Sequence, residues 1–238
     1  MLYALINGIK SCATPNKTGL CPLCQNKTIT KCGEFKSWHW AHKKSVDCDS
    51  WYKPETEWHR RWKSVFGIAN CEIILNRDNI KHIADVVTIH NRVIELQNSP
   101  INYETLTSRE TFYGTEMAWI VNGAKFSSNF KIMPFQTIEY DEYTPEFDRF
   151  AKMHQFTAVY KPSHDDSNKE RFEWKRVKEV WRLSKAHVYI DLGGDFLFKI
   201  SEWTDFSKGI GISISKKQFI IENGGDESLL KTVINIEE

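Results

Sequence analysis

The chain has 238 residues and a mass of 27.8 kDa, which at about 150 residues per domain allows one main core with an appendage, or two small domains. Its 41% hydrophobic and 26% charged content excludes global disorder. The longest apolar run, Met117–Val121, is far below the ~20 residues that span a bilayer. No basic segment followed by an apolar one opens the chain, so the expectation is a soluble, cytoplasmic protein with no membrane partner. The net charge of +1 selects no partner, but the charges are segregated. Residues 1–64 carry eleven Lys/Arg against five Asp/Glu, residues 139–148 five acids and no base, and residues 171–185 six bases and two acids.

Taken in chain order, residues 1–50 read as a loop-rich lobe of short strands, punctuated at Asn7-Gly8, Thr14-Pro15-Asn16 and Cys32-Gly33. Pro54-Glu55-Thr56-Glu57 has the composition of a helix start, and Trp58, Trp62, Val65 and Phe66 recur at helical spacing up to Gly67. Three β-type runs follow at Cys71–Leu75, Ile83–Ile89 and Val93–Gln97, the last two joined through His90-Asn91-Arg92 as a hairpin. Ser99-Pro100 opens a second helix to about Phe112, closed by Gly114, and Met117–Val121 is a buried strand. Residues 124–170 read as an extended, meandering segment with the acidic patch and the polar stretch Ser163–Lys169. Residues 171–185 fit an amphipathic helix, with Trp174, Val177, Val180, Trp181 and Ser184 on one face. Strands are expected at Val188–Leu192, Phe196–Ile200, Gly211–Ser215 and Phe219–Glu222. The domains on this reading are a lobe at 1–50, a core at 51–123 and a β-rich extension at 124–238.

Two constellations carry chemistry. Five of six cysteines fall in the first 48 residues, interleaved with His39 and His42. Without a secretion signal such a cluster suggests metal before disulfides. Cys21-Pro-Leu-Cys24 presents two thiolates from one tight turn, and His42 and Cys48 complete a tetrahedral Zn²⁺ site with a purely structural role. Cys12, Cys32 and His39 are substitutes. His39 and His42 are three apart, so in an extended segment only one of them reaches the ion.

The second constellation lies on the expected hairpin. Glu95 and Gln97 alternate with Ile94 and Leu96 and share one face. If Ile89 pairs with Val93, Asp85 lies opposite Gln97 and diagonal to Glu95, within reach of one divalent cation. Mg²⁺ takes one or two carboxylates and keeps several waters. The competing interpretation is a merely solvent-exposed hairpin face.

The order helix–strand–strand–strand–helix–strand, with an acid on the second strand and E-x-Q on the third, resembles the core of the PD-(D/E)xK nucleases, a restriction-endonuclease-like αβββαβ fold. Read together, Cys21-Pro-Leu-Cys24, Trp38-His-Trp-Ala-His42, Glu57-Trp-His-Arg-Arg-Trp-Lys63, Ile83-Ala-Asp-Val86, Ile94-Glu-Leu-Gln-Asn-Ser99, Arg109 with Tyr113, and Trp119-Ile-Val121 resemble the competence protein CoiA-like nuclease family. So do Phe172-Glu-Trp-Lys-Arg-Val-Lys-Glu-Val-Trp181 and Val188-Tyr-Ile-Asp-Leu-Gly193. The resemblance implies an α/β (α+β) nuclease core with an N-terminal zinc lobe. It also implies hydrolysis of phosphodiesters, DNA being the favoured substrate, with Mg²⁺ or Mn²⁺ on Asp85 and Glu95. The setting would be DNA uptake, recombination or defence against foreign DNA, with protein partners in those processes.

Gln97 stands where that superfamily most often has Lys, and an amide neither supplies positive charge nor takes a proton. Lys63 or Lys81 is a candidate replacement cation. Glu72 is a candidate further ligand, and His59 and Glu57 candidates to line the cleft. His82 and Lys63 are candidate phosphate contacts. Arg171, Lys175, Lys178, Arg182 and Lys185 recur at steps of four and three, an outward stripe suited to tracking a nucleic-acid backbone if the segment is helical. The alternative function is an inactive zinc-containing nucleic-acid-binding module on the nuclease scaffold.

Overall fold

The computed structural model describes residues 1–34, 37–44, 48–51, 55–134 and 168–231. It is a mixed α+β structure in which strands predominate. The acidic patch at 139–148, the proline at position 54 and most of the polar stretch from Ser163 lie outside the described residues.

Five short strands build the lobe: β1 (Tyr3–Ile6), β2 (Ile9–Cys12), β3 (Thr18–Leu20), β4 (Lys27–Lys31) and β5 (His39–His42). They form one sheet in the order β2-β1-β3-β4-β5. Trp40, Cys21, Ala4, Ala13 and Met1 fill its small core.

The main body begins with α1 (Glu57–Phe66). Thr56 caps it, accepting from the His59 backbone N–H, while the Thr56 N–H donates to the His59 ring, a reciprocal capping box. Gly67 ends the helix at φ 74°, a conformation that costs glycine little. Then come β6 (Cys71–Arg77), β7 (Ile80–Val87), β8 (Val93–Gln97), α2 (Tyr103–Tyr113) and β9 (Ala118–Asn122). The anticipated order of two helices and four strands over 57–122 is thus present.

The remaining strands are β10 (Phe130–Pro134), β11 (Lys169–Trp174), β12 (His187–Asp191), β13 (Phe196–Trp203) and β14 (Lys208–Ser215), followed by α3 (Lys216–Glu222). Among the described residues, the nine strands of the body join one sheet, β10-β11-β14-β13-β12-β9-β8-β7-β6. β9 runs parallel to both β8 and β12, and the other neighbours are antiparallel. Period-two alternation divides the core between its faces. Ile94, Leu96, Ile120, Tyr189 and Leu197 pack with Trp58, Trp62, Val65 and Phe66 of α1 and Phe219 of α3. Val93, Trp119, Val121, Val188, Ile190 and Phe198 pack with Leu106 and Tyr113 of α2.

Three local expectations are corrected. Residues 171–185 are not a helix. Lys169–Trp174 is strand β11, with Phe172 and Trp174 buried between β10 and β14, and only Glu179–Arg182 forms a short 3₁₀ turn. Phe172 and Trp174 alternate with Arg171 and Glu173, and pairing on both edges overrides the weaker helical period. The side chains of Arg171, Lys175, Lys178, Arg182 and Lys185 are exposed, but no helical stripe aligns them. Likewise Phe219–Glu222 is the second half of α3, since Phe219 and Ile220 both turn inward under the sheet.

The β7–β8 hairpin is also re-registered. Val87 pairs with Val93 and Val86 with Ile94, because Thr88 N–H bonds to Arg92 O and the loop is Ile89-His90-Asn91. Asn91 supplies the left-handed residue at φ 58° that closes a three-residue loop. Continued inward, this register sets Asp85 across from Glu95.

Candidate active site and metal centre

The lobe brings Cys21, Cys24, His42 and Cys48 together, with one ligand atom of each within 4.8 Å of the others. Cys21 and Cys24 flank the turn between β3 and β4, where Gln25 N–H bonds back to Cys21 O. His42 ends β5 and directs Nε2 to within 3.3 Å of Cys24 Sγ, while Cys48 Sγ lies 3.6 Å from Cys21 Sγ. A tetrahedron with Zn–S bonds of about 2.3 Å has S···S edges of about 3.8 Å, so the cluster needs little adjustment to close on zinc. His39 points elsewhere, Nδ1 to the Ser37 carbonyl. The Cys24 thiol is held down at about 6: burial opposes this, but the Asn26 backbone N–H and side chain stabilise the thiolate. Burial pushes the Cys21 and Cys48 thiols up.

The acidic site lies at the floor of a cleft of about 450 Å³ where the β7–β8 ladder opens. Asp85 N–H donates to Glu95 Oε1 at 3.3 Å, and Leu96 N–H to Asp85 Oδ2 at 2.9 Å, so side chains replace the carbonyls of the ladder. Lys63 of α1 approaches from one face. Its ammonium, 1% exposed, pairs with Asp85 Oδ1 (2.8 Å), Glu55 Oε1 (2.6 Å) and Glu72 Oε1 (3.3 Å). Arg109 of α2 arrives from the other and donates Nη1 to Glu95 Oε2 at 2.6 Å. Glu72, in the left-handed region at φ 49°, also accepts the backbone N–H groups of Leu2 and Tyr3, which sews the lobe to the cleft.

These pairings set the ionisation. Burial raises the Asp85 carboxyl, but the Lys63 ammonium and the Leu96 N–H outweigh it and hold the pKa below the ordinary value. Glu95 goes the other way, pushed up to about 7 by burial and by the Asp85 charge against the opposing pull of Arg109. Burial disfavours the Lys63 charge, yet Asp85, Glu55 and Glu72 hold its pKa well above normal.

Several anticipated residues are committed to the protein itself. Gln97 donates Nε2 to the Ser99 carbonyl at 2.5 Å. Accepting from Thr56 N–H at Nδ1 leaves His59 to donate Nε2–H to Leu96 O at 3.1 Å. His82 is bonded to Asp49 and stacked on Trp51. Glu57 faces solvent against Arg60 and Arg61, and Lys81 is exposed. Lys63, being buried, is a partner of carboxylates and not a surface contact for phosphate. The sequence reading did not assign Glu55, Asp49 or Trp51 to this cleft, and gave Arg109 no role. A buried strand such as β8 bearing both Glu95 and Gln97 requires cationic partners from covering helices, and that requirement points to Arg109.

No curated protein and no solved structure matches the chain. Residues 10–50, the segment that holds Cys21, Cys24, His42 and Cys48, match the family model described as competence protein CoiA, N-terminal domain.

Proposed function

We propose that this chain is a divalent-metal-dependent nuclease, with a PD-(D/E)xK-type core in which E-x-Q replaces E-x-K and a structural zinc in the lobe. A setting in DNA uptake, recombination or defence accords with the CoiA match over residues 10–50. The observation that carries the reading is the meeting of Asp85 and Glu95 at the floor of an open cleft, each steadied by its own cation.

The donor set fits a hard ion. Each carboxylate oxygen of Asp85 and Glu95 uses one lone-pair direction, on Lys63, Leu96 N–H, Arg109 or Asp85 N–H, and keeps a second. Asp85 and Glu95 would hold the ion. When bound, it neutralises charge developing on a phosphodiester and lowers the pKa of a water. The chain's own residues do the rest. Lys63 keeps Asp85 ionised. Arg109 fixes the rotamer of Glu95. Gln97 orients Ser99 at the cleft wall, and His59, with both nitrogens engaged, shapes the floor without acting as a base.

The second reading, a non-cutting nucleic-acid-binding module, is favoured by one observation: Lys63 and Arg109 already neutralise both carboxylates. Cleavage of plasmid, linear, single-stranded and RNA substrates with Mg²⁺ or Mn²⁺, beside Asp85→Ala, separates the two. Activity lost in Asp85→Ala supports the nuclease. Wild-type protein that binds DNA and cuts none of the four supports the module.

A further inference from the structure

Four residues join the zinc-type cluster to the acidic cleft. Cys48 belongs to the cluster, and its neighbour Asp49 reaches β7. Asp49 Oδ1 accepts from His82 Nδ1 at 2.9 Å, and Oδ2 from the Ile83 N–H at 2.9 Å, two residues ahead of Asp85 on the same strand. Trp51 lies flat on the His82 ring, with centroids 3.3 Å apart and planes 9° from parallel. The Trp51 carbonyl accepts from Arg109 Nη2 at 2.7 Å, and the guanidinium sits 5.5 Å over the indole. Arg109 turns its other nitrogen to Glu95. One short segment therefore touches the supports of both carboxylates.

Residues 48–51 belong to no strand or helix. Their backbone is closed by one internal hydrogen bond, Trp51 N–H to Asp49 Oδ1 at 3.0 Å, and is otherwise held by Cys48 at one end and by the contacts of Asp49 and Trp51 with the body at the other. A tetrahedral ion fixes the position of a ligating sulfur to tenths of an ångström. Hydrogen-bond partners behind a metal ligand typically govern its affinity by about 10- to 100-fold.

We propose that Asp49 and Trp51 are positioning residues through which zinc at Cys21, Cys24, His42 and Cys48 sets the geometry of Asp85 and Glu95. The inference rests on the reading of Asp85 and Glu95 as ligands of a divalent ion. Zinc in the lobe thereby prepares the cleft for its second metal, and loss of zinc frees Arg109 and lets Glu95 turn.

The test measures Mn²⁺ binding to the full chain by the electron paramagnetic resonance of free Mn²⁺, with zinc content determined in parallel. Trp51→Ala and Asp49→Ala leave every ligand in place. They should keep one zinc per chain while Mn²⁺ affinity falls about tenfold. Trp51→Phe, which keeps a ring over His82 and under Arg109, should recover most of the loss. Removing zinc from the wild type should weaken Mn²⁺ similarly, and removing it from the Asp49→Ala/Trp51→Ala double variant should add little, because both side-chain links are already cut. Mn²⁺ affinities equal in wild type, Trp51→Ala and Asp49→Ala overturn the coupling and leave the metal reading intact. A wild type that binds Mn²⁺ no better than Asp85→Ala overturns both.

Discussion

Lys63→Met replaces an ammonium by an apolar group of similar length and leaves three carboxylates facing one another around it. Lys63 is 1% exposed, and Asp85, Glu55 and Glu72 lie 2.8, 2.6 and 3.3 Å from it. Removing one side of such a buried pairing costs about 3–5 kcal/mol, most of it the penalty of the stranded charge. In a chain of this size each kcal/mol moves the melting temperature by about 2–4 °C, so the loss is on the order of 10 °C. The pH dependence follows from the sign of each shift. In the wild type the Asp85 pKa is depressed, so its stabilisation is present above the unfolded value of about 3.9 and is lost only as pH falls through the lower folded value. In Lys63→Met, burial loses its largest opposing influence and raises that carboxyl. The folded variant then takes up protons as the solution is acidified, and its deficit shrinks. Thermal melts followed by circular dichroism at pH 7.5 and 5.5 read both effects. A melting temperature within about 2 °C of wild type at pH 7.5, or a deficit identical at the two pH values, would refute the account of Lys63 as the buried counter-ion.

Zinc analysis of freshly purified protein should give one ion per chain, and Cys24→Ser should release it and lower the melting temperature, since the metal's binding energy is folding energy for the lobe. Zinc-free protein with an unchanged melt would contradict this. Because the Glu95 carboxyl titrates near 7 in the folded chain, Mn²⁺ must compete with its proton. Affinity measured by calorimetry should therefore rise by up to about tenfold per pH unit below 7 and level off above it; a flat profile from pH 5.5 to 8 would count against Glu95 as a ligand. Gly209→Ala should destabilise by about 1–3 kcal/mol in urea unfolding, since its Cβ would stand 2.2 Å from the Glu202 carbonyl and 2.5 Å from the Phe172 ring.

Where one local signal dominated, the amino-acid sequence was a good guide. The tight Cys21–Cys24 turn points to the cluster in the lobe and strand parity admits one of His39 and His42, while the choice of His42, and of Cys48 over Cys12 and Cys32, comes from the structure. The helix-start composition of Pro54-Glu55-Thr56-Glu57 and the stop at Gly67 bound α1 within a turn. Where two signals compete, the local pattern does not decide. Trp174, Val177 and Trp181 satisfy a helical period, but Phe172 and Trp174 satisfy a strand period, and only the presence of β10 and β14 on either side decides between them. The hairpin register slipped by two because the left-handed residue could sit at Asn91 with the loop beginning at either Ile89 or His90. What pattern cannot convey is pairing at a distance. Arg109, Glu95 and Asp49 are ordinary polar residues until the helices and the 48–51 segment are laid on the sheet, where Arg109 meets Glu95 and Asp49 meets the Ile83 N–H.

Asp191, at the end of β12, accepts the indole N–H groups of Trp58 and Trp62 at 2.9 Å each and pairs with Lys216 at 2.8 Å, all fully enclosed. Its partners lie 133 and 129 residues earlier in the chain. During synthesis, α1 therefore emerges long before the acid that satisfies it, and β9 waits with an open parallel edge until β12 arrives from the far side of residues 123–186. A nascent chain stopped at residue 122 would carry two buried-type indoles without acceptors and a hydrophobic strand with one edge unpaired, the ingredients of edge-to-edge aggregation. Ribosome-bound chains of increasing length should accordingly stay protease-sensitive through β9 and become resistant only once β12 and α3 have cleared the exit tunnel.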